Sequence, residues 1–173
     1  GRDFHIMQMT FKNHACCGHT FAAIDGALAL QAAAGIAATD IVRVRVGTYR
    51  AALDVAGNTA PATAAEARFS LPYVVATALR HGSVRLAAFA PERLHDAATR
   101  ELMRCIDVSV DPELDAAFPR QRAARVSIEL RDGRCLTHLQ PTRTGDPDAP
   151  LWRLDAITDT RTLGPGRESA TAP

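Results

Sequence analysis

The chain has 173 residues, of which 47% are hydrophobic and 23% charged, with a net charge of +1. That size supports one domain with a sizeable core, and the near-neutral balance gives no global field to attract nucleic acid or an anionic membrane. No uninterrupted apolar run approaches the ~20 residues of a bilayer span, and the first twenty residues carry Arg2, Asp3, His5, Lys12 and His14 in place of a signal peptide, so a cytoplasmic location is expected.

Residues 1–20 show little periodicity and read as an extended lead-in. Residues 21–34 form a helix, because Ile24, Ala27, Leu28 and Gln31 fall at helical spacing and Gly35 can end it. Residues 41–49 alternate, which places Val42, Val44 and Val46 on one face of a strand and Arg43 and Arg45 on a wet face. After a loop at 57–63, Thr63-Ala64-Ala65-Glu66 fits a capping box. Ser70 then caps a helix with Pro72 in its first turn, running to His81 and stopping at Gly82.

A third long helix is expected over 96–104 and a second strand over 105–110, with Ile106, Val108 and Val110 on one face. Asp111-Pro112-Glu113 reads as a short helical start. In 124–140, Asp132-Gly133 is a preferred type I′ pair. A two-residue turn there sets Leu130 opposite Cys135, Ile128 opposite Thr137 and Val126 opposite Leu139, all on one face. From Pro141 the pattern fades into a loop at 144–150, and the Gly-, Pro-, Ser- and Thr-rich stretch 164–173 reads as disordered. Four strands and three or four helices without a βαβ rhythm point to an α+β domain, a mostly antiparallel sheet with helices packed on one face.

Reactive side chains are densest in Lys12-Asn13-His14-Ala15-Cys16-Cys17-Gly18-His19-Thr20, leading into the first helix. Three readings stay open for this stretch. His14, Cys16, Cys17 and His19 could be zinc ligands, although adjacent cysteines chelate one ion poorly and no second pair follows at finger distance. Alternatively, His14 and Cys16 pack beneath the helix. The third is an acid/base or anion-anchoring site at a helix N-terminus, with Lys12 and His19 as added donors. Tyr73 is either a phenolic donor or a core residue. His81 suits its helix C-terminus, and His95 and His138 are expected to be exposed. The four cysteines lack secreted-scaffold spacing and are expected as free thiols. Phosphate loops, nucleotide fingerprints and Ser-His-Asp signatures are missing from the sequence.

Several blocks occur in an ordered series: Phe11-Lys12, Cys17-Gly18-His19-Thr20, Ala23-Ile24-Asp25-Gly26-Ala27-Leu28, Thr48-Tyr49, Glu66-Ala67-Arg68-Phe69-Ser70-Leu71-Pro72-Tyr73, Asp132-Gly133 and Gly145-Asp146-Pro147. In this they resemble the C-terminal part of the MmgE/PrpD family, which includes 2-methylcitrate dehydratase, cis-aconitate decarboxylase and iminodisuccinate epimerase. The resemblance implies an α+β lid domain over 1–151, with 152–173 an atypical, flexible tail. It also implies a cofactor-free, metal-free lyase or isomerase chemistry on small polycarboxylates. Members are more than twice this length, with the active site between the lid and a large helical domain.

By position, the lid's catalytic residues would be Lys12, Cys17, His19 and Tyr73. An Asp and a His of the helical domain have no counterpart here, and Phe21 stands where many members carry another His. The chain is therefore expected to be an incomplete catalyst alone, with a separately encoded helical domain as one partner. The alternative is a non-catalytic interaction domain or gene remnant, whose exposed apolar face would drive homo-oligomerisation. Neither nucleic acid nor a membrane is expected as a partner.

Overall fold

Alternating branched residues build a four-stranded sheet in the computed structural model, which describes residues 9–151. The strands β1 (Ile41–Thr48), β2 (Ile106–Val110), β3 (Ala124–Leu130) and β4 (Cys135–Gln140) lie in the order β2-β1-β3-β4. Pairings β1–β3 and β3–β4 are antiparallel, while β1 and β2 run parallel. A parallel neighbour requires a long crossover, here supplied by the whole helical stretch between β1 and β2. The expectations for residues 1–8 and 152–173 lie outside the described residues.

Helices cover one face of the sheet. Helix α1 (Phe21–Ala34) ends at Gly35, whose N–H donates to the Gln31 carbonyl. Next come α2 (Arg50–Ala56) and α3 (Ala64–Ala67), the latter opened by the capping box of Thr63 and Glu66. Helix α4 (Leu71–His81) starts at Ser70, whose hydroxyl accepts the Tyr73 N–H, and stops at Gly82. After α5 (Pro91–Leu94), α6 (Ala97–Arg104) is capped by Asp96 and α7 (Pro112–Ala117) by Asp111. Phe21, Ile24 and Ala27 of α1 and Leu71, Val74, Val75 and Leu79 of α4 join Val44, Val46, Val126 and Ile128 of the sheet in one core. The opposite sheet face is wet and cross-linked by charge, with Arg43 on Asp107 at 3.0 Å and Arg45 on Glu129 at 3.7 Å. Among the described residues no helix is long and apolar enough to cross a membrane.

Two expectations about side-chain facing are corrected. The β1–β3 pairing is irregular between Ile41 and Arg43, so Ile41 turns into the core and Val42 is 44% exposed. The β3–β4 hairpin is also one residue out of the expected register. Leu130 N–H donates to Arg134 O, and Gly133 N–H to Leu130 O, so the loop is the three residues Arg131, Asp132 and Gly133. A type I′ turn would force Asp132 to positive φ, which costs a non-glycine residue about 1–2 kcal/mol. Only Gly133 takes that conformation, at φ 86°. Glu129 therefore faces Cys135, Ile128 faces Leu136 and Val126 faces His138. The slip puts Leu139 on the wet face and His138, expected to be exposed, half-buried towards α1.

Candidate functional site

Strand β1 and the turn before α1 meet at a polar contact. Tyr49 follows the last residue of β1 and N-caps α2, which fixes its ring at the sheet end, 1% exposed. His19 sits in a 3-10 turn, Gly18–Thr20, held by Thr20, whose N–H and hydroxyl both donate to the Cys17 carbonyl. The His19 Nδ1 lies 2.9 Å from the Tyr49 hydroxyl. Phe118, just after α7, stacks on the Tyr49 ring at 4.5 Å with 13° between planes, and lies 6.4 Å from the imidazole. Helix α7 is tied to this corner by Asp115, which accepts the Arg50 N–H at 2.7 Å.

The surroundings are cationic. Burial, then the charges of Arg122 and Arg143, hold the His19 imidazole below its ordinary range. Burial pushes the Tyr49 phenol up to about 12, against the pull of the same two guanidiniums. The phenol therefore keeps its proton across the physiological range, and the imidazole tautomer sets which of Tyr49 and neutral His19 donates in their hydrogen bond.

The loop after β4 supplies Arg143. Its guanidinium forks onto Asp146 at 2.9 and 2.6 Å, and its third nitrogen donates to the Gly18 carbonyl at 3.2 Å. Thr10 donates to the same carboxylate at 2.8 Å. Gly145 takes φ 103° there and lies so close to the Phe11 carbonyl that no Cβ fits. Asp25 of α1 ties the loop down a second time. One carboxylate oxygen accepts the Thr144 N–H at 2.8 Å, and the other meets His14 Nε2 at 2.9 Å.

A family model described as the MmgE/PrpD C-terminal domain matches residues 14–169. The chain belongs to that family. No curated protein matches it. In this MmgE/PrpD domain the expected site residues part company. Cys17 and His19 stand at the Tyr49 corner; Cys17 is buried and its N–H donates to the Arg68 carbonyl. Lys12 is exposed, two residues before the matched segment. Tyr73 lies elsewhere, fully buried, donating to the Ala88 carbonyl at 2.6 Å beneath Arg100. The charges that bear on Tyr73 are those of Arg100, Asp96 and Arg93, none of which bears on His19.

The side chains considered as zinc ligands have separate partners. His14 is held by Asp25, His19 by Tyr49, and Cys16 by Thr20 at 3.3 Å, with burial pushing the Cys16 thiol up to about 12. Among the described residues no three His, Cys, Asp or Glu side chains are grouped to hold a metal ion. Sequence reasoning missed Tyr49, Phe118, Arg122 and Arg143. The available signal for Tyr49 was its place between an alternating strand and a helix start, where strand ends carry sites.

Proposed function

We propose that this MmgE/PrpD C-terminal domain forms one wall of the active site of a cofactor-independent lyase or isomerase acting on small polycarboxylates, of the 2-methylcitrate dehydratase kind. The carrying observation is the 2.9 Å contact between His19 and Tyr49 in a field of Arg122 and Arg143. The reaction class passes through an electron pair left on carbon, by loss of a proton in dehydration and epimerisation and by loss of carbon dioxide in decarboxylation, and that pair spreads into a remaining carboxylate. Positive charge and fixed donors favour the resulting enolate-like anion over the starting acid. Neutral His19 suits proton transfer, Tyr49 orients it and can donate, and Cys17 shapes the pocket. Lys12, which is exposed, would hold a substrate carboxylate as a point charge. Dehydration, decarboxylation and epimerisation share this anion and differ in how it is formed and quenched.

The test incubates the chain with 2-methylcitrate and with cis-aconitate, alone and together with the large helical domain of the family, following substrate by NMR. Turnover that needs the helical domain and is lost in His19→Gln and Tyr49→Phe is the expected result. Failure of both substrates to bind or react in either setting overturns the reading. Turnover undiminished in His19→Gln does so as well.

A further inference from the structure

Beside the His19–Tyr49 corner lies an open cavity of about 340 Å³, between the segment that follows Phe118 and the loop that follows β4. Arg120, Arg122 and Arg143 line it together with Asp146 and Asp148. Both carboxylates are engaged from within the fold. Asp146 is taken by Arg143 and Thr10, and Asp148 accepts from the Thr142 hydroxyl at 3.1 Å. Arg120 and Arg122 are left with no carboxylate among the described residues. Arg122 is half-buried, and a partly dry guanidinium facing a cavity is a strong, planar receptor for a carboxylate.

We propose that this cavity is an anion subsite, with Arg122 as its principal donor and Arg120 as a second, which binds a carboxylate of the substrate remote from the reacting carbon. The inference rests on the polycarboxylate reading above and adds a requirement to it. The ligand must carry a carboxylate beyond the one at the His19–Tyr49 corner, so a tricarboxylate is favoured over a dicarboxylate. Arg143 takes a positioning role, since its fork is held by Asp146 and its third nitrogen donates to the Gly18 carbonyl. The geometry gives the reason for the arrangement. Phe118 stacks on Tyr49, its chain neighbour Pro119 lines the cavity, and the Arg122 and Arg143 that line it also act by charge on His19, so the two places adjoin.

The experiment is calorimetric titration of the full chain with citrate, succinate and inorganic sulfate, at low salt and at about 0.3 M salt. Citrate is expected to bind more tightly than succinate or sulfate. Loss of one charge-assisted fork in Arg122→Gln should weaken citrate by about ten- to a hundredfold. Arg120→Gln, at a more exposed position, should weaken it less. Neither substitution strands a carboxylate partner among the described residues, so both variants should fold, which circular dichroism checks. Citrate affinity unchanged in Arg122→Gln overturns the subsite, as does sulfate or succinate binding as tightly as citrate. The two readings fail separately. Arg122-dependent citrate binding without any turnover keeps the subsite and removes the lyase assignment, and turnover with KM unmoved in Arg122→Gln does the reverse.

Discussion

The Nδ1 of His19 and the hydroxyl of Tyr49 stand 2.9 Å apart although thirty residues separate them in sequence. One belongs to a turn that launches a helix, the other to the residue that leaves the central strand. Their meeting gives this domain a neutral imidazole and a protonated phenol sharing one hydrogen bond beside two guanidiniums.

The two tyrosines of the chain can be set against each other. Tyr49→Phe removes the hydroxyl but keeps the ring on Phe118, and His19 keeps access to water. Stability should fall by only about 1 kcal/mol, while activity in an assembled enzyme should fall by about 10²- to 10⁴-fold. Tyr73→Phe strands the buried Ala88 carbonyl. It should cost about 1–3 kcal/mol in denaturant unfolding and leave kcat near the parent value. The reverse pattern would return Tyr73 to the site.

His19 also makes a pH prediction. Burial, Arg122 and Arg143 lower its pKa in the folded state, while the unfolded value lies near ~6.5. A depressed histidine favours folding fully above ~6.5, and that contribution is lost as pH falls from there through the folded pKa. Nitrogen-15 NMR should show His19 neutral at neutral pH. The titration midpoint should lie below ~6.5 and move up towards it in Arg122→Gln. A midpoint above ~6.5 in the parent chain would contradict the assignment.

What the sequence disclosed and what it withheld follow from the range of the interactions. The capping box at Thr63, the Ser70 cap and the stops at Gly35 and Gly82 are local devices, readable in a few residues, and the structure places each of them as expected. The α+β class followed from periodicity alone. The hairpin register turned on whether Asp132 or Gly133 alone would take positive φ, a difference of about 1–2 kcal/mol that the Asp-Gly pair does not reveal. The parallel β1–β2 neighbourhood was hidden because the crossover is broken into several short helices. Tyr49 and Tyr73 both stand near helix starts, and only the packing of β1 against the turn at Gly18–Thr20 distinguishes them.

The register carries its own test. Leu136 packs against the core and Leu139 is 42% exposed on the wet face. Leu136→Ser should destabilise by about 1–2 kcal/mol, from lost apolar burial. Leu139→Ser should stay within about 0.5 kcal/mol. Equal costs, or the opposite order, would restore the two-residue turn.

The Arg143–Asp146 pair should be the most sensitive point of the site's frame. The two side chains are 8% and 12% exposed and share a two-pronged contact, with Thr10 as a third member. Removing one partner leaves a buried charge, so Arg143→Met should cost about 3–5 kcal/mol. Burial alone would raise the Asp146 carboxyl. The hydrogen bonds from Arg143 and Thr10, with the charges of Arg143 and Arg122, overcome it and hold the group below its ordinary range. A depressed carboxylate contributes stability that is complete above the unfolded value of ~3.9 and lost as pH falls through the folded pKa. Acid unfolding of the parent should therefore steepen below about pH 4, and Asp146→Asn, already weaker at neutral pH, should lose less over the same interval. Because Arg143 also holds the Gly18 carbonyl, both variants should shift the His19 amide in a heteronuclear NMR spectrum. An unmoved His19 amide would show that the loop after β4 does not position the imidazole.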